Sequence, residues 1–121
     1  MVNYMNKFTF ESTLKIDIED VICEIDLSDE IVNKAIVDYV AKSLVLNKKV
    51  KETDADKWWD EFKDASFAFL NTVLSKENVD KIFQDKVVDN CDISGLCVFI
   101  LNGVTEFKKN KYLRYAQCII R

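Results

Sequence analysis

The chain has no histidine, no proline and only two glycines. Without histidine, the usual base for a serine or cysteine nucleophile is missing. Zinc has no recognisable ligand set either, since the four cysteines include no Cys-x-x-Cys pair. Gly95 and Gly103 stand too far apart to build a Gly-x-Gly-x-x-Gly or Gly-Lys-Thr/Ser element, so nothing cradles a phosphate. The uninterrupted apolar run from Leu96 to Leu101 is far too short to cross a bilayer, and no membrane partner is expected. Met1 to Lys7 lack the basic start and apolar run of a signal peptide, which places the expected location in a cytoplasm. No linker, repeat or low-complexity segment divides the 121 residues, which read as one domain with a β portion over 1–27 and a helical portion over 28–121.

What is present is apolar and charged in the proportions of a globular protein, 49% hydrophobic and 31% charged, with a mild net charge of −4. Carboxylates crowd between Asp17 and Glu30, whereas Lys108, Lys109, Lys111, Arg114 and Arg121 face a lone Glu106 at the other end. An acidic front and a basic back suit head-to-tail association, hence a homo-oligomer, and do not describe a nucleic-acid groove. Cys23, Cys91, Cys97 and Cys118 read as reduced thiols, three of them among apolar neighbours, in preference to disulfides.

Periodicity divides the chain. Phe8, Phe10, Leu14, Ile16 and Ile18 alternate with polar residues, and the phase resumes on Val21, Cys23, Ile25 and Leu27 beyond Glu19-Asp20. This predicts a small antiparallel sheet or hairpin, with Lys15, Asp17, Glu24 and Asp26 outside; Ser12 leaves open one bent strand or two short ones. Ser28 is the expected cap of a first helix striped by Val32, Ile36, Tyr39, Val40 and Leu44. Thr53 is the expected cap of a second, with Trp58, Trp59, Phe62, Ala65, Ser66, Phe69, Leu70, Val73 and Leu74 at spacings of three and four. A short helix over 78–85 turns Val79, Ile82 and Phe83 inward. The stretch Asp92 to Phe107 is the expected central helix: Asp92 caps it, Ile93, Leu96, Cys97, Ile100, Leu101, Val104 and Phe107 form one face, and Val98 and Phe99 add a flank. Its two glycines suggest close helix–helix approach. Tyr112 to Ile120 fits either more helix or a last strand. The fold class is α+β, a hairpin followed by a helix-dominated bundle of three to four helices.

Carboxylate pairs such as Asp17 with Glu19 or Glu24 with Asp26 have the residue types for acid–base or metal chemistry, but they also fall on the solvent side of a strand. No catalytic residue, cofactor or metal is expected, and no enzyme activity. Apolar surface is the remaining resource. Trp58 and Trp59 are adjacent and so point about 100° apart on one helix. One belongs in the core, and the other at an edge of the buried face, where tryptophan serves interfaces. Phe67 is the other aromatic off the main stripe. Trp58, Trp59 and Phe67 are thus the candidate protein-binding residues, unless all three merely broaden a core face.

Asp64-Ala-Ser-Phe-Ala-Phe-Leu-Asn-Thr-Val-Leu74 resembles the aromatic helix of small tail assembly chaperone-like proteins from phages and prophages of Gram-positive bacteria. In that family an acidic, Phe-rich helix leads to a Lys-Ile-Phe-Gly-like segment and a final amphipathic helix. Asn78 to Lys86 and Asp92 to Phe107 look like these two parts, with Gln84 where glycine is common. The resemblance covers about residues 58 to 110 and rests on packing motifs. It implies a protein that coats the tape-measure protein, keeps its long helix soluble and helps recruit tail-tube subunits. Two other readings are a small phage-encoded inhibitor of a host defence protein, anti-CRISPR-like, and a structural subunit of the tail or neck.

Overall fold

The computed structural model describes residues 9–51 and 54–120, with side chains as far as Ala116. A two-stranded antiparallel hairpin, β1 (Thr13–Ile18) and β2 (Val21–Asp26), is followed by four helices: α1 (Glu30–Lys49), α2 (Ala55–Leu74), α3 (Lys76–Phe83) and α4 (Asn90–Ile120). This is the expected α+β class.

The hairpin turns on Glu19 and Asp20, with Ile18 paired to Val21 and Ile16 to Cys23. Both turn residues are left-handed, at φ 51° and 65°, which matches the right-handed twist of the strands even without the favoured Asn-Gly. Leu27 N–H donates to the Ser12 carbonyl at 2.7 Å just ahead of the ladder, and among the described residues β1 is neither a bent strand through Ser12 nor two short ones but a single strand that starts after it. Ile18, Cys23 and Ile25 are buried, while Lys15, Asp17, Glu24 and Asp26 face outward beside an exposed Ile22. Phe8 lies outside the described residues.

The helix caps correct the sequence reading in detail. Asp29, not Ser28, caps α1, accepting from the Ile31 N–H at 2.8 Å. Ser28 is occupied one step earlier: its hydroxyl and its N–H both donate to Asp26 Oδ1, at 2.5 and 2.9 Å. Those bonds favour the ionised carboxylate and hold the Asp26 carboxyl below the usual range. Asp54 caps α2 through the Asp56 N–H; Thr53 lies outside the described residues. Asp92 sits inside the first turn of α4 and not before it. Its N–H donates to Asp89 Oδ1 at 2.8 Å and its carboxylate accepts from the Asp89 N–H at 3.1 Å, the reciprocal arrangement of a capping box.

The hub of the molecule is α2, not the expected α4. Helix α2 packs against α1, α3, α4 and β2, and Phe62, Ser66, Phe69, Leu70, Val73 and Leu74 all lie buried along it. Helix α4 contributes one stripe, Ile93, Cys97, Ile100 and Val104, while Val98 and Phe99 are about half exposed, at 50% and 51%. Beyond Phe107 it runs on to Ile120, which makes the ambiguous segment helix. Lys111 donates to the Glu11 carbonyl at 2.5 Å and Arg114 pairs with the Glu11 carboxylate, tying this extension to the chain ahead of β1.

Ser75 ends α2 and starts α3 at once, with φ 77°. At the far end of α3 the positive φ falls on Asp85 (57°), so Gln84, in place of a glycine, keeps an ordinary backbone.

Neither glycine permits a close helix–helix approach. A Cβ on Gly95 would meet nothing within 4 Å, and one on Gly103 would lie 3.7 Å from Leu14 of β1, an ordinary contact. Gly95 therefore weakens α4 without a packing return. Gly95→Ala is expected to raise stability by about 1 kcal/mol; a urea midpoint no higher than that of the unchanged protein would contradict this.

Candidate functional site

The structure brings Trp58 and Trp59 together and leaves Phe67 apart. At the start of α2 the Trp58 and Trp59 rings meet edge to face with centroids 4.9 Å apart. Phe62 stacks on Trp58 at 5.4 Å and meets Trp59 edge-on at 5.7 Å. Both tryptophans are half-buried. Trp58 also has a structural duty: its indole N–H donates to the Leu46 carbonyl at 2.7 Å. That carbonyl is one of the last four of α1, which have no partner within the helix. Among the described residues Trp59 makes ring contacts and no hydrogen bond from its side chain. Phe67, nine residues past Trp58, lies about 180° round α2 and packs on Phe83 of α3 at 5.4 Å, beside the core.

The stripe of α1 is rotated from the one the sequence suggested. Val32, Tyr39 and Leu46 are buried, but Val37, Val40 and Leu44 are exposed to 65%, 41% and 58%. Spacings of three and four put these last three on one helix face. Val40 and Leu44 thus move from the expected core to an uncovered apolar row.

Between α1 and α2 runs a groove of about 630 Å³. Ala35, Ala65 and Ala68 keep it open, Tyr39 and Phe69 form its floor, and Asp38, Lys42, Glu61 and Asp64 stand around it. The two floor rings stack at 4.6 Å. The sequence reading missed this feature, because alanine on a helix reads as a good helix former and nothing more. The available signal was Ala65 and Ala68 one turn apart beside the aromatic stripe, with carboxylates at 61 and 64.

Below the floor, Tyr39, Ser66 and Cys97 bring polar atoms from three helices together, with Tyr39 Oη 3.5 Å from Ser66 Oγ. Burial pushes the Tyr39 hydroxyl and the Cys97 thiol above their ordinary values. No buried side-chain nitrogen or oxygen lacks a partner among the described residues.

Cys23 and Cys97 are buried and Cys91 is exposed, all three as free thiols; the Cys118 side chain lies outside the described residues. Burial raises the Cys23 thiol, with Asp17 adding to the effect. Since the thiolate is the reactive form, Cys91 is expected to alkylate rapidly in the native protein, and Cys23 and Cys97 only on unfolding. Mass spectrometry of timed alkylation decides this; equal labelling of Cys91 and Cys97 would refute it.

Among the described residues no group of three or more Asp, Glu or Cys comes together as a metal site, and no helix is long and apolar enough to cross a membrane. The carboxylates at 17, 24 and 26 stand on the exposed side of the hairpin. Comparison with protein-family models, curated proteins and solved structures finds no match to this chain.

Proposed function

We propose that the protein is a non-catalytic, cytoplasmic tail assembly chaperone of a phage or prophage, holding an apolar helix of the tape-measure protein and helping to recruit tail-tube subunits. The observation that carries this reading is the uncovered row Val37, Val40 and Leu44 on α1. An apolar row at helical spacing, on a helix already anchored by its opposite side, is the surface on which a partner helix lays its own apolar face. The order of the Phe-rich helix, the short α3 and the amphipathic α4 supports the same reading by resemblance.

The test is capture of a co-expressed, His-tagged tape-measure segment. Val40→Lys and Leu44→Lys are each expected to weaken capture by about 2 kcal/mol, roughly 30-fold. Their melting behaviour should stay within about 0.5 kcal/mol of the unchanged protein, as exposed substitutions do. Of the tryptophans, Trp59→Ala should act mainly on capture and Trp58→Ala on stability, since only Trp58 holds the end of α1. Undiminished capture by both α1 variants would overturn the assignment.

A further inference from the structure

The groove and the far end of α4 have opposite characters, and neither is used by the α1 row. Of the carboxylates around the groove, Asp38 is already held by Lys34 at 2.8 Å. Glu61 and Asp64 take part in no ion pair among the described residues. Between them Ala35, Ala65 and Ala68 leave the groove open above the stacked rings of Tyr39 and Phe69, which offers an aromatic side chain an apolar seat.

At the end of α4 the cations divide into two sets. Lys111 and Arg114 are bound to Glu11 of their own chain. Lys108 and Lys109 are exposed and enter no ion pair among the described residues. Tyr112 follows them by four and three residues, which puts its ring on the same helix face, and it is 71% exposed. An exposed tyrosine flanked by Lys108 and Lys109 is the complement of an alanine-lined groove whose rim carries Glu61, Asp64 and the ion-paired Asp38 against one cation, Lys42.

We propose that the α1–α2 groove receives the C-terminal part of α4 from a second copy of this chain, Tyr112 seated over Ala65 and Ala68 and Lys108 and Lys109 against Glu61 and Asp64. Because groove and tip are different surfaces, the contact is heterologous: each copy that offers its tip still has an empty groove, and association continues head to tail. Aromatic anchors carry most of the energy of such contacts, while the charges set register and salt dependence.

Sedimentation velocity of the full chain at rising concentration tests this. At low salt the average mass should grow with concentration, and it should fall back at high salt. Tyr112→Ala, Lys109→Glu and Asp64→Lys should each leave a monomer with unchanged circular dichroism. Mixing Tyr112→Ala, whose groove is intact, with Asp64→Lys, whose tip is intact, should give a one-to-one dimer that grows no further. Asp64→Lys combined with Lys109→Glu in one chain should restore growth. A wild-type chain that stays monomeric at every concentration overturns the proposal. So does association that survives both Tyr112→Ala and Asp64→Lys, or a mixture that remains monomeric. Capture of the tape-measure segment through the α1 row is a separate readout, and either result leaves the other standing.

Discussion

Phe69→Ala is expected to cost about 3–5 kcal/mol, the usual range for deleting a buried phenyl ring. Phe69 is 2% exposed in the C-terminal half of the hub helix, and its ring stacks on Tyr39 of α1 at 4.6 Å. Removing it withdraws the surface against which α1 lies and leaves a cavity that the neighbouring alanines cannot fill by relaxing. Domains of this size are stable by about 5–15 kcal/mol, so the variant should sit near the limit of folding at 25 °C. Phe67→Ala is the control. That ring lies at the core's edge against Phe83, and its loss should cost clearly less. Urea midpoints for the two variants are sufficient; equal losses would mean that the core is not centred on the α1–α2 contact.

The second large effect lies on α4, where neighbouring residues separate by face. Ile100 has no exposed surface, Leu101 is half-buried, and Val98 is 50% exposed. Ile100→Ala should therefore cost about 2–5 kcal/mol. Val98→Ala should stay within about 0.5 kcal/mol, with Leu101→Ala between them. Urea denaturation of the three single variants orders them. A loss at Val98 as large as at Ile100 would show that α4 turns its other face to the core.

Much of this was legible because period and chemistry agreed. The alternation from Leu14 to Ile25 determined both the strands and the face they bury, and the break at Glu19-Asp20 fell on the turn. Where two acidic or hydroxyl residues stood near one helix start, pattern alone could not choose between them. Ser28 lost the cap of α1 because its hydroxyl is held by Asp26 ahead of the helix, while Asp29 Oδ1 accepts from the Ile31 N–H. Asp89 and Asp92 share the cap of α4 reciprocally. Val40 and Leu44 show a different difficulty: α1 is apolar over more of its circumference than one neighbour can cover, and only the docking angle of α2 decides which rows remain outside. The end of α4 was obscured by its lysines, which resemble a helix terminus by charge. The helix nevertheless continues to Ile120, and Glu11, remote in sequence, holds its Lys111 and Arg114. The groove was invisible for the plainest reason, that it is defined by what alanine leaves empty.

The bonds from Glu11 to α4 also bear on the order in which the molecule assembles. The hairpin pairs residues a few positions apart, and α1 meets α2 across a short connection. Glu11 reaches Lys111 and Arg114 across 100 and 103 residues, and the entropic cost of closing a loop rises with its length. The hairpin and the α1–α2 pair can therefore form early and independently, whereas the seating of α4 across β1 is the step that joins the two ends of the chain. In the reverse direction the same clasp is the first to open, since its bonds are solvent-exposed. A molecule that has released it frees the end of α4 beyond Phe107 from the chain ahead of β1, while Cys97, Ile100 and Val104 stay seated in the core.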